Sequence, residues 1–151
     1  MKIKNIIEDV PLNIAAPIIK KCVAKYFNIP VDNFDIKSRK KEIVIPRQIA
    51  HFIATFCKDA TLEKIGIAIG NQDHATVLHS KREINKFITP INGKINDNEI
   101  YRAISFIEHY IIKEIEEQRK KEIYHKNRKK RIKIHIRKIM NYYYKLNKKY
   151  V

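Results

Sequence analysis

Gln72-Asp73-His74-Ala75-Thr76 is the stretch richest in chemistry, five small or polar side chains at the start of an apolar pattern with helical spacing. Such a set suits the edges of base pairs. Aspartate accepts from cytosine N4, glutamine and histidine bond purine N7 and other edge groups, and the methyls of alanine and threonine meet the thymine methyl. A helix N-terminus also draws phosphate through its unpaired N–H groups. A catalytic reading, Asp73 and His74 with Ser80, fails because all three fall on one helix with no triad geometry and no nucleophile elbow. His51, His79, His109, His125 and His135 have no metal-ligand spacing. Cys22 and Cys57 sit singly among apolar residues, as buried thiols of a reducing compartment do. The expectation is a protein that is not an enzyme and uses neither metal nor cofactor.

The elements that must position this stretch are legible from punctuation and spacing. Pro17 is expected to open a helix whose face carries Ile18, Cys22, Val23, Tyr26 and Phe27, and Asn28-Ile29-Pro30 to end it. Residues 31–35 look like one short turn, followed by a basic loop, Lys37-Ser38-Arg39-Lys40-Lys41. Pro46 is expected to open a second helix with Ile49, Ala50, Ile53, Ala54 and Cys57 on one stripe. Thr61 is an N-cap ahead of Leu62-Glu63-Lys64, and Gly70 can close that short helix in the left-handed conformation. Asp73 caps a longer helix bearing Val77, Leu78, Ile84, Phe87 and Ile88, with Ile69 ahead of it as a hydrophobic staple. A short helix ending in glycine and joined tightly to a second makes a helix-turn-helix candidate.

Beyond a turn from Pro90 to Asn96 containing Gly93, Asp97 or Asn98 begins a long helix. Its Ile100, Ile104, Ile107, Ile111 and Ile115 are spaced by four, three, four and four. That row either docks on its own domain or supports self-association or a partner through 97–118. Ile132, Ile134 and Ile136 alternate like a strand, whereas Ile132, Ile136, Ile139 and Tyr143 match a helix, which is favoured because helix precedes it.

Lys and Arg number 32 against 16 Asp and Glu, a formal net charge of +16. Residues 1–118 hold 18 basic and 15 acidic residues, and residues 119–151 hold 14 basic and one acidic. The excess therefore lies in the tail, and a block of that sign attracts polyanions, nucleic acid or anionic lipid; the tail is either a solvated, disordered segment, a nonspecific DNA clamp or a partner-binding helix. Tyr142-Tyr143-Tyr144 among these cations either stack on unpaired bases or simply pack. No run approaches 18 apolar residues and the N-terminus lacks a secretion pattern, so a membrane span is not expected and a cytoplasmic protein is.

With these motifs in view, residues 18 to about 84 resemble the C-terminal DNA-binding domain of the bacterial replication initiator DnaA, a TrpR-like helix-turn-helix. The matching pieces are Val23-Ala24-Lys25-Tyr26-Phe27-Asn28-Ile29, the basic loop 37–41, Pro46-Arg47-Gln48-Ile49-Ala50, Leu62-Glu63-Lys64-Ile65-Gly66 and the signature Asp73-His74-Ala75-Thr76-Val77-Leu78-His79. The resemblance implies a two-part grip on duplex DNA. Arg39 matches the arginine inserted in the minor groove, where a narrow AT-rich groove attracts guanidinium. Asp73 and His74 match residues that read bases in the major groove, flanked by Gln72 and Ala75. Arg47 and Gln48 match the start of the helix that supports this surface. Lys37, Lys40, Lys41, Thr61 with Leu62, Thr76 and His79 would hold the backbone and set register.

The chain departs from the family in two places. Gly70-Asn71-Gln72 stands where Gly-Gly-Arg is usual, and Ala75 where threonine is usual, which implies a different preferred site. The family carries this module behind an ATPase. No Gly-x-x-x-x-Gly-Lys-Ser/Thr occurs here, so ATP-driven origin opening is not expected of this polypeptide alone.

The expected fold is all-α: an N-terminal tail over 1–16, a DnaA-like helix-turn-helix domain over 17–90, and a long helix with basic tail over 96–151. The expected function is sequence-preferring double-stranded DNA binding in replication initiation or its control, in a bacterium, a phage or a mobile element. A transcription or nucleoid regulator, or a protein that coats nucleic acid or oligomerises, is the alternative. No small-molecule substrate is expected.

Overall fold

The computed structural model describes residues 5, 7–91, 94–95 and 98–149, with side chains described for 5, 7–90 and 99–140. Gly93, Asn96 and Asp97, and the side chains of Tyr142, Tyr143 and Tyr144, lie outside the described residues. The chain forms two compact units, Met1–Glu114 and Ile115–Val151. The first contains α1 (Leu12–Phe27), a 3-10 turn (Val31–Phe34), α2 (Lys41–Ala54), α3 (Leu62–Ala68) and α4 (His74–Ile88). A two-residue antiparallel ladder follows, pairing Pro90 with Ile95 and Ile91 with Lys94, and then α5 (Asn98–Lys149), which begins in the first unit. The fold is all-α, a helix-turn-helix followed by a long helix. No helix among the described residues is long and apolar enough to cross a membrane.

Two helix starts differ from the sequence expectation, for the same reason. α1 begins at Leu12 and α2 at Lys41, so Pro17 and Pro46 are each the sixth residue of a helix rather than its opening. A proline there forfeits one ladder hydrogen bond, and the carbonyls it frees belong to the exposed residues Asn13 and Glu42, which keeps the loss small because solvent is at hand. Burial of the residues ahead of each proline outweighs that loss. Leu12, Ala15 and Ala16 are core residues, and Ile43, Val44 and Ile45 are half-buried. Part of the segment expected as a tail is likewise tied down. Ile7 and Val10 are buried, and Lys58 N donates to Val10 O (3.0 Å) while Leu12 N donates to Lys58 O (3.3 Å).

The core of the first unit is built from Ile19 and Val23 of α1, Ile49, Phe52 and Ile53 of α2, Ile65, Ile69, and Val77 and Ile84 of α4, with Phe34 beneath the 3-10 turn. Ile100, Ile104, Ile107 and Ile111 are buried on the first turns of α5, so this face is occupied within its own unit; Ile115 falls in the second. Around them Tyr26 and Phe106 pack with ring centroids 5.1 Å apart, Lys25 lies over Tyr110, and Lys21 pairs with Glu114 at 3.0 Å. Cys22 and Cys57 are buried free thiols. Burial pushes them up to about 11 and about 12, helped at Cys22 by the charge of Glu114, so neither is a ready nucleophile. In the second unit the chain is helical through Ile132, Ile134 and Ile136, with their side chains exposed.

Candidate nucleic-acid interface

The turn between α3 and α4 is set by backbone chemistry. Thr61 caps α3, its hydroxyl oxygen accepting from Lys64 N (3.2 Å). Gly70 (φ 88°) and Asn71 (φ 48°) then take successive left-handed conformations, which reverse the chain. A Cβ on Gly70 would lie 2.3 Å from Phe34 O, and one on Gly66 would lie 2.1 Å from Gln72 O. Glycine at 66 lets α3 and the turn close up, glycine at 70 lets the turn pack on the 3-10 element, and Gln72 N seals the first contact by donating to Gly66 O (2.9 Å).

Asp73 caps α4, one carboxylate oxygen accepting from Thr76 N at 2.6 Å. That bond holds the carboxyl below its usual range, and the charge of His74 adds in the same direction. Asp73, His74, Ala75 and His79 are exposed, and Thr76 is half-buried. The side chain of Gln72 folds back, its Nε2 donating to Gly70 O (2.6 Å). The basic loop leaves Lys37, Arg39, Lys40 and Lys41 exposed, with Lys40 N donating to Ser38 Oγ (3.1 Å). Thr61 is exposed, and Leu62 and Gln48 are half-buried.

Arg47 is placed differently from the cations of the loop. It is 7% exposed, and its guanidinium donates to Ile36 O at the root of the loop. Burial lowers its pKa while nearby Asp35 pulls the other way. Its Nε is buried without a hydrogen-bond partner among the described residues. The side chain therefore fastens the basic loop to α2 from beneath.

The group that sequence reasoning missed is His51. It is fully buried on α2, with Nε2 2.9 Å from Ile69 O and Nδ1 3.0 Å from Ser80 Oγ. Ser80 Oγ also lies 2.8 Å from Thr76 O. Burial pushes the imidazole down to about 4, so it is neutral near pH 7. A carbonyl only accepts, which puts the ring proton on Nε2 and leaves Nδ1 to receive from the Ser80 hydroxyl. That hydroxyl has one proton for two acceptors, Nδ1 and Thr76 O. The network ties α2 both to the turn and to the second turn of α4, and it explains why Ser80, near Asp73 and His74 in sequence, points inward. The available signal was a histidine interrupting the apolar run Ile49, Ala50, Phe52, Ile53.

Residues 17–84 match the family described as bacterial DnaA protein helix-turn-helix. The chain is 38% identical over 87 residues to the chromosomal replication initiator protein DnaA of Symbiobacterium thermophilum, covering 57% of this chain and 19% of that protein. To the protein of the same name from Lacticaseibacillus casei it is 44% identical over 78 residues, 52% of this chain and 17% of the relative. To that from Lactiplantibacillus plantarum it is 35% identical over 91 residues, 60% and 19% respectively. The chain thus spans about a fifth of the length of these relatives. The matched segment holds α3, the left-handed turn and α4 up to Ile84, and residues 17–84 of this chain are a helix-turn-helix of the bacterial DnaA family.

Proposed function

We propose that the first unit binds duplex DNA with sequence preference, in replication initiation or its control. The observation that carries this reading is the braced but open start of α4. Asp73, His74 and Ala75 are exposed at a helix N-terminus whose position is fixed by a two-residue left-handed turn and by the buried His51–Ser80 network. A helix end offered in this way fits the major groove, where its N-terminal residues meet base edges. Arg39, exposed on the loop that Arg47 fastens, is the guanidinium for the adjoining minor groove. Lys37, Lys40, Lys41, Thr61, Leu62, Thr76 and His79 hold backbone phosphates and sugars, and Gln48 supports the surface from α2.

The preferred site differs from that of the relatives. Gln72 stands where an arginine is usual, and its amide is turned onto Gly70 O, so a charged bidentate donor is replaced by a neutral group already engaged. Ala75 offers a methyl in place of a hydroxyl. The test is selection of bound duplexes from a random pool at near-physiological salt, using the whole protein and His74→Ala. A defined motif lost in the variant supports the reading. Tight binding to every duplex with no enrichment contradicts it.

A further inference from the structure

We infer that the second unit carries a DNA-backbone contact of its own, independent of base readout by α4. Arg119, Lys126, Lys130, Lys133 and Arg137 are spaced by seven, four, three and four along α5, which puts them on one helical face, and all are exposed. The stripe runs ~27 Å at 1.5 Å per residue. Between 119 and 140 there are eleven Lys and Arg against one carboxylate, Glu122. None of the eleven has an ion pair among the described residues.

Like charges four apart, such as Lys126 with Lys130 and Lys133 with Arg137, repel along the helix until an anion neutralises them. The charge is thus a standing cost to the helix that a polyanion removes. A second face adds the donor chemistry of a phosphate seat. Tyr124, Asn127, Arg128 and Arg131 line a recess of about 280 Å³, presenting two guanidinium forks, an amide and a phenol.

Duplex DNA is the occupant that these features favour. A helix lying on lipid needs one broad apolar face opposite its cations. Here Ile132, Ile136 and Ile139 lie on one side, while Ile123 and Ile134 lie on the other, between the basic stripe and the phosphate seat. A second copy would bring like charge against like charge. The first unit of the same chain is a DnaA-type helix-turn-helix, so a duplex is the polyanion at hand.

The test compares the full-length protein with Lys126→Gln/Lys130→Gln/Lys133→Gln, glutamine being a comparable helix former. Affinity for a duplex of arbitrary sequence is measured from 50 to 200 mM salt, after circular dichroism has established equal helicity. Three phosphate contacts correspond to a change of about 2.7 in the slope of log affinity on log salt. The unaltered protein should therefore lose roughly 40-fold more affinity than the variant over that range, equally on every duplex. Equal slopes would overturn the inference, as would tighter binding to phosphatidylserine vesicles or to single strands than to the duplex. Because the slope is read on a duplex of arbitrary sequence, it does not depend on base readout by α4, which separates the two surfaces.

Discussion

The start of α4 and the C-terminal half of α5 offer groups to the same kind of ligand and are built in opposite ways. At the start of α4 few side chains face outward, and the backbone that carries them is fixed. Asp73 is bonded to Thr76 N, the preceding turn is locked by Gly66 and Gly70, and His51 and Ser80 hold the helix from inside. Beyond residue 118, α5 has eleven described cations, an exposed surface and no internal ion pairs among them. Reading a base edge needs donors and acceptors held to fractions of an ångström, so the folding energy of a domain is directed at a few atoms. Attracting a phosphate backbone needs charge in quantity and tolerates loose placement.

The strongest way to break the contrast is to damage the turn. Gly70→Ala must hold a Cβ at φ 88° and move it off Phe34 O, and we expect a loss of about 3 kcal/mol or more in urea unfolding followed at the first unit. Salt-sensitive binding through α5 should survive it. His51→Ala removes both hydrogen bonds of the buried imidazole, leaving Ile69 O without its donor and Ser80 bonded to Thr76 O alone, at a cost of about 2–3 kcal/mol in the same measurement.

Acidity acts on the same histidine. Its folded pKa of about 4 lies below the ordinary 6.5, so the folded state binds fewer protons than the unfolded one. The stability tied to a neutral His51 is complete above pH 6.5 and is lost progressively as pH falls toward 4, amounting to up to ~3 kcal/mol. Thermal unfolding across that window should show the decline in the native protein and a flatter profile in His51→Met. Smaller still is Arg39→Ala, expected to weaken binding about tenfold on duplexes with a narrow AT-rich minor groove and less on GC-rich ones, read by fluorescence anisotropy. Its counterpart, Lys126→Gln alone, should weaken binding equally on every duplex and lower the salt slope by about 0.9.

What the sequence made legible was local. Thr61 and Asp73 announce their helices because a capping side chain bonds a backbone N–H three residues away, and Gly70 marks the turn because few other residues accept its conformation. The exposed residues of the loop and of α4 follow from those elements. The misplaced helix starts at Pro17 and Pro46 came from reading a local preference where distant burial decides. Leu12 and Ala15 join the core through contacts that sequence spacing does not carry. The partnership of His51 with Ser80 spans 29 positions, and that of Arg47 with Ile36 spans 11. Both are tertiary, which is why sequence spacing shows neither the buried role of His51 nor the bond from Arg47 to the loop.

The most direct measurement of the central contrast is the ratio of affinities for the selected site and a scrambled duplex of the same composition, taken at one salt concentration for the native protein and His74→Ala. A bidentate base contact carries about 1–3 kcal/mol of discrimination. The ratio should accordingly fall by roughly 10- to 100-fold in the variant while affinity for the scrambled duplex stays the same. An equal loss on both duplexes, or a ratio near one in the native protein, would contradict the assignment of base readout to α4.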